Sequence, residues 1–206
     1  LEKCRSLTAI EIDKDLTRFL EKVFGDKKNF NLIEKDILHY DPKELGRVNK
    51  LIGNIPYNIS TPIIEWIIDN KSSFDEVFLM LQKEFGERCF AQPNTKSYGR
   101  LSIFVQCFFD VTAIREVDKS FFNPPPKVQS IFLKFTPKVL DITSNSVLMK
   151  NLSILTREAF SKRRKLISNS LKSFFSQQDL VDLGIETKSR PENLSVETYL
   201  KLAKSI

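Results

Sequence analysis

Short apolar runs alternate with segments of helical period across residues 1–136, and only helical period follows. Few architectures accommodate that order. Leu7 to Ile12 is a short apolar run ending among acids, a strand. Asp15 to Phe24 then places Leu16, Phe19, Leu20 and Val23 at helical spacing. Phe30 to Lys35, Lys50 to Gly53 and Glu76 to Leu81 read as further strands. A helix starts at Thr61-Pro62, where proline is tolerated in the first turn, and another covers Lys83 to Phe90. Leu101 to Phe109 is a continuous apolar run that fits a helix or a strand. Val111 to Val117 and Ser130 to Phe135 read as late strands, an antiparallel pair. Alternation of this kind implies a mostly parallel sheet covered on both faces by helices, an α/β fold.

A boundary follows. Thr136-Pro137-Lys138 closes the last strand, and Ile142 to Ser146 is short and polar. Beyond it Leu148, Leu152, Leu155 and Ala159, then Ile167, Leu171 and Phe174, keep helical spacing. The expected organisation is an α/β domain over residues 1–140 and a small all-α domain over 141–206. Charge is divided the same way. The chain is +6 overall, and residues 144–206 hold eleven Lys or Arg against six Asp or Glu. The densest point is Lys162-Arg163-Arg164-Lys165. Such asymmetry fits an anionic partner, although a solvated helix face also explains it.

Composition removes several classes. No apolar run approaches the ~18 residues of a membrane span. Leu1-Glu2-Lys3-Cys4-Arg5 lacks the apolar core of a signal peptide. Cys4, Cys89 and Cys107 are odd in number and widely spaced, which argues against a disulfide framework and suits a reducing cytoplasm. One histidine, His39, and no close cysteine pair argue against a metal site; His39 is expected on the surface or in a loop.

In an open α/β sheet, ligands bind beyond the carboxyl ends of the strands. Glu11 ends the first strand here, Asp36 the second and Asn54 the third. A carboxylate at the end of the second strand of a nucleotide-binding sheet typically accepts hydrogen bonds from ribose hydroxyls, and Glu11 is the candidate. Asp36 could accept from an adenine amino group. Taken singly, each acid is also what a helix cap or solvated turn looks like; Asp15 could cap the following helix with no other role. Asn54-Ile55-Pro56-Tyr57 is more distinctive. It sets a side-chain carbonyl, a stiff backbone and an aromatic ring at one strand end, which is what holding a flat base with an exocyclic amino group requires.

Asn54-Ile55-Pro56-Tyr57 resembles the catalytic Asn-Leu-Pro-Tyr motif of the ribosomal RNA adenine dimethyltransferase family, with Ile55 for the usual Leu. Ala9-Ile10-Glu11-Ile12-Asp13 is similar to the family's acidic cofactor-binding strand end. Leu81-Gln82-Lys83-Glu84 and Tyr98-Gly99-Arg100-Leu101-Ser102 resemble its middle segment, and Phe122-Asn123-Pro124-Pro125-Pro126-Lys127-Val128 its late proline-rich loop. Ala159 to Lys165 and Asn169-Ser170-Leu171 resemble its helical C-terminal domain. The likeness spans nearly the whole chain and favours the branch acting on the small subunit.

The resemblance implies a Rossmann-like sheet that uses S-adenosylmethionine, with a helical appendage that docks on RNA. It implies dimethylation of the amino group of adenines in 16S ribosomal RNA, within the 30S subunit or its precursor, by a cytoplasmic monomer without a metal. Asn54, Ile55, Pro56 and Tyr57 would be catalytic. Glu11, Ile12, Asp36, Ile37 and Asn54 would hold the cofactor. Tyr57 and Phe122 would stack on the base, and Lys162, Arg163, Arg164 and Lys165 would meet RNA.

One departure stands out. A glycine-rich turn is expected ~20 residues before the acidic residue. Only ten residues precede Glu11, the chain begins at Leu1, and no Gly-x-Gly occurs. The sheet is therefore expected to be incomplete at its N-terminal side, and the 206-residue form is expected to bind S-adenosylmethionine weakly or not at all. Three other readings stay open: a resistance-type methylase of large-subunit RNA, a DNA adenine methylase, and a non-catalytic RNA-binding assembly factor on a methylase fold.

Overall fold

The structure, a computed structural model, describes residues 1–139 and 146–206. These fall into two compact units, Leu1–Gly46 and Arg47–Ile206. The expected domain boundary at Ile142 to Ser146 falls largely on 140–145, outside the described residues.

In the first unit, strands β1 (Leu7–Glu11) and β2 (Phe30–Glu34) pair in parallel, with Glu11 opposite Glu34. Helix α1 (Lys14–Phe24) connects them. Its cap is Asp13, whose carboxylate accepts from the N–H groups of Asp15 and Leu16; Asp15 lies within the first turn as a favourable acid. The helical spacing of Leu16, Phe19 and Val23 forms the helix, yet all three are exposed. Thr17 is the buried residue, and its hydroxyl donates to Glu34 on β2.

The second unit is built on a four-stranded sheet in the order β3-β4-β6-β5. Its strands are β3 (Val48–Asn54), β4 (Phe74–Gln82), β5 (Phe109–Val117) and β6 (Ser130–Pro137). β3 and β4 run parallel, whereas β4–β6 and β6–β5 are antiparallel. The sheet is thus mixed rather than mostly parallel, because the β5–β6 hairpin inserts its second strand beside β4. Helices α2 (Ser60–Asp69), α3 (Lys83–Phe90) and α4 (Arg100–Phe108) accompany it. The ambiguous run 101–109 is the end of a helix joined without a loop to the start of a strand: α4 stops at Phe108 and β5 begins at Phe109. The Ser102 hydroxyl accepts from the Gly99 N–H and sets the helix start. α3 comes so close to β6 that a Cβ on Gly86 would lie 2.3 Å from Ile131 Cγ2. Val77, Leu79, Leu81, Leu133 and Phe135 form the sheet's share of the core, each with no solvent exposure.

Four helices follow: α5 (Ser146–Ser161), α6 (Ile167–Ser170), α7 (Gln177–Asp182) and α8 (Val196–Lys204). α6 is a single turn, shorter than the 167–174 spacing suggests, and Phe175 rather than Phe174 is buried. The Tyr98 hydroxyl donates to the Leu194 carbonyl at 2.8 Å and the Tyr199 hydroxyl to that of Pro191 at 2.9 Å. Both rings pack against Phe160. Buried polar tips with partners fix this packing, since an unpaired buried hydroxyl would cost about 1–3 kcal/mol. Cys4, Cys89 and Cys107 are free thiols. Burial pushes Cys89 and Cys107 up to about 12, so neither is a thiolate at neutral pH. Among the described residues no helix is long and apolar enough to cross a membrane.

Candidate active site

The carboxyl end of β3 is where the chain departs most from routine. Asn54 closes the strand opposite Met80, and the Ile55 N–H donates to the Met80 carbonyl at 3.2 Å. Ile55 is buried. Gly53 leaves the space its side chain fills, since a Cβ there would meet Ile55 Cδ1 at 2.7 Å. Asn54 is correspondingly exposed, and its side chain bonds to no other described residue. An exposed amide without a protein partner at a strand end, beside a residue locked into the core, is available to a ligand. Pro56 follows with φ −55° and ψ 131°, and its ring restricts Ile55 to extended backbone. Tyr57 begins a short 3-10 turn, Tyr57–Ile59, that runs into α2. The Ser60 hydroxyl donates to the Tyr57 carbonyl at 3.0 Å.

β6 runs antiparallel to β4, so its first residue, Ser130, lies opposite Gln82, the last residue of β4. The loop before it, residues 118–129, therefore opens at the same end of the sheet as Asn54. That loop carries a 3-10 turn at Lys119–Phe121, capped by Asp118, and then the prolines, with a cis Asn123–Pro124 bond. Phe122 is half-buried and Phe121 is 80% exposed. The loop is tied down by the Lys83 N–H, which donates to the Gln129 carbonyl, and the Lys83 side chain pairs with Glu116 on β5, just before the loop, at 2.8 Å. Most directly, the Tyr57 and Ser130 hydroxyls are 2.9 Å apart. Tyr57 and the loop's anchor thus meet, although 73 residues separate them in sequence. Sequence reasoning missed Ser130, taking it only as the start of a strand.

In the first unit, Glu11 and Asp36 sit at the ends of adjacent strands. Glu11 Oε1 accepts from the N–H groups of Ile12 and Asp13, at 2.8 and 2.9 Å. Its other oxygen is left for outside donors. Asp36 caps the turn Ile37–His39, accepting from the Leu38 N–H at 3.0 Å, and pairs with His39 at 3.1 Å. Both acids therefore have local backbone partners, Glu11 in the turn after β1 and Asp36 as a cap. A carboxylate has about four acceptor positions, so these bonds leave room for ligand hydroxyls or an amino group. Ile12 is 62% exposed and Ile37 partly so, an apolar surface beside the two acids.

The basic cluster lies on the turn after α5 and not on a helix face. Lys162 pairs with Glu158. Arg163 pairs with Glu192 at 2.5 Å and donates to the carbonyls of Thr95 and Lys96. Arg164 and Lys165 are exposed, with no ion pair among the described residues. The four cations thus divide into two engaged with the protein and two facing outward.

Similarity to known proteins gives the family. The family described as "Ribosomal RNA adenine dimethylase" matches residues 1–206. The "Ribosomal RNA small subunit methyltransferase A" of Legionella pneumophila (strain Corby) is 40% identical over 206 residues, which is 100% of this chain and 80% of that protein. The protein of the same name from Blochmanniella floridana is 40% identical over 200 residues, covering 95% of this chain and 73% of its own length. Among solved structures, a dimethyladenosine transferase from Plasmodium falciparum superposes with a TM-score of 0.80 at 29% identity, over 96% of this chain and 80% of that one. The 23S rRNA methyltransferase ErmE superposes at 0.73 with 21% identity, over 99% and 83%, and shows the shared fold alone. A Rossmann-like methyltransferase sheet with an Asn-Ile-Pro-Tyr strand end, matched along its whole length, makes this chain a member of the ribosomal RNA adenine dimethylases, enzymes that transfer methyl groups from S-adenosylmethionine to adenine.

Proposed function

We propose that Asn54, Ile55, Pro56 and Tyr57 hold the target adenine, and that the target lies in small-subunit ribosomal RNA. The observation that carries this is the exposed, unbonded Asn54 amide at the end of β3, beside a ring anchored to the loop that bears Phe122. The curated relatives bear the name of small-subunit methyltransferases, which supports that substrate over large-subunit RNA.

The lone pair of an adenine amino group is delocalised into the ring, so the nitrogen is a poor nucleophile. Acceptors aimed at its two hydrogens favour a more tetrahedral nitrogen. The Asn54 side-chain oxygen and the Ile55 carbonyl are the two acceptors, with Pro56 restricting the latter in advance. Tyr57 and Phe122 stack on the two faces of the base. Each such contact is worth ~1–3 kcal/mol, enough to offset an extruded base's tendency to restack. Glu11, through its uncommitted oxygen, fits ribose hydroxyls; Asp36 fits an adenine amino group, and Ile12 and Ile37 offer apolar surface to a purine. These residues would hold S-adenosylmethionine, which when bound supplies a methyl group already activated on a sulfonium. The chain's own contribution is orientation, worth up to ~7–11 kcal/mol in well-aligned reactions. No side chain here is assigned as a general base; the proton leaves once the methylated nitrogen has become acidic.

The helical region from Ser146 onward docks on RNA chiefly through phosphates, and the protein acts as a cytoplasmic monomer on the 30S subunit or its precursor. The free cysteines fit that compartment. Arg164 and Lys165 are the phosphate contacts. Substituting either by alanine is expected to lower the salt dependence of RNA binding by about one charge, with stability unchanged within ~0.5 kcal/mol. Arg163→Ala instead is expected to cost ~1–3 kcal/mol of stability, because it breaks the Glu192 pair and two bonds to carbonyls. Filter binding across a salt series, with thermal denaturation of each variant, separates the two roles. The substrate assignment is tested by methyl transfer to purified 30S particles against naked large-subunit RNA. Incorporation into the former supports it, and incorporation confined to the latter refutes it.

A further inference from the structure

We infer that Ser130 is a positioning residue for the second methyl transfer, acting through its hydrogen bond to Tyr57. The inference rests on the base-stacking role proposed for Tyr57. Ser130 is 1% exposed and sits in the ladder between Gln82 of β4 and Val117 of β5, so its Oγ is a fixed point. Tyr57 is half-buried, and its hydroxyl lies 2.9 Å from that Oγ. At its other end the residue is held by Pro56 and by the Ser60 bond to its carbonyl. The ring's long axis is therefore held at both ends, and its hydroxyl end is fixed by the sheet. The loop bearing Phe122 ends on this same Ser130, so one residue fixes one aromatic face and roots the segment that carries the other.

The consequence falls unequally on the two methylations. Unmodified adenine offers two amino hydrogens to the Asn54 and Ile55 acceptors. Monomethylated adenine offers one, so its alignment depends more on the position of the stacked ring. Releasing the Tyr57 hydroxyl should slow the second transfer more than the first. A stability defect alone would lower both rates by the same factor, since it changes only the amount of folded enzyme.

The test is single-turnover methylation of purified 30S particles by the intact protein, with mono- and dimethyladenine separated by mass spectrometry. Ser130→Ala and Tyr57→Phe remove the same bond from opposite sides, and the second leaves the sheet untouched. Each is expected to slow the second transfer roughly three- to tenfold, the range for one hydrogen bond, and to accumulate monomethyladenine. The double variant should be no slower than either single one. An unchanged mono-to-dimethyl ratio in Tyr57→Phe, or additive losses in the double variant, would overturn the inference. Asn54→Ala run in parallel keeps the failures apart: if it methylates normally, the reading of the site itself is wrong, whereas if it is inactive and the ratio is unchanged, only the role of Ser130 falls.

Discussion

Asn54→Ala is expected to lower the rate of methyl transfer roughly 100- to 1000-fold, the loss seen when one preorganised polar group aimed at a reacting centre is removed. The expectation is specific because Asn54 has so little else to do. Its side chain is exposed and bonds to no other described residue, so its truncation removes no contact from the core. Stability should stay within ~0.5 kcal/mol of the parent, as for surface substitutions generally. A large rate loss without a stability loss would mark a group that acts on substrate. Asn54→Asp keeps an acceptor at the position and should retain more activity than alanine. Single-turnover rates and thermal melts on the same preparations check both halves. A rate for Asn54→Ala within about threefold of the parent would mean that the amide is not an acceptor for the adenine.

Phe135→Ala should produce the reverse pattern, a severe stability loss that affects the whole second unit. Phe135 is fully buried on β6, opposite Val77 of β4 and Val111 of β5. Its ring meets Phe109 edge-on, with centroids 5.9 Å apart. Deleting a buried phenylalanine costs ~3–5 kcal/mol, from lost transfer energy and the cavity left behind. Against a total stability of ~5–15 kcal/mol that is a large fraction. For a chain of this size the melting temperature should fall by roughly 6–20 °C. Phe121→Ala is the contrasting control, since Phe121 is 80% exposed and its loss should leave the melt nearly unchanged. β6 begins at Ser130, so what holds Phe135 also holds the anchor of Tyr57. Activity in Phe135→Ala should accordingly fall with the folded fraction and return on cooling.

The sequence disclosed elements better than partners. Strands and helices were legible where apolar residues followed one period, as at Glu76 to Leu81 and Lys83 to Phe90. They were illegible where two elements abut: the apolar run 101–109 keeps no single period because α4 gives way to β5 inside it. Helical spacing also overstated burial. Leu16, Phe19 and Val23 lie on one stripe but remain exposed, while Thr17, a polar residue, is buried through its bond to Glu34. The cap of α1 was legible as an acid but not as which acid, since Asp13 and Asp15 both fit the pattern and only backbone geometry selects Asp13.

The candidate site shows the same division. Asn54 to Tyr57 stood out because that combination of residues is chemically unusual at a strand end. Ser130 did not, because a serine opening a strand has no local signature, and its contact to Tyr57 is set by the register of β4 with β6. The Lys162 to Lys165 run looked uniform in sequence. Only the tertiary fold separates Arg163, turned toward Glu192 and two carbonyls, from Arg164 and Lys165, turned outward.

The most direct measurement is mass spectrometry of small-subunit ribosomal RNA from cells with and without the gene. Dimethylated adenine should be present at defined positions with the gene, absent without it, and absent again when the gene carries Asn54→Ala. Dimethyladenine at the same positions and level in cells lacking the gene, or methylation that depends on the gene only in large-subunit RNA or DNA, would contradict the assignment.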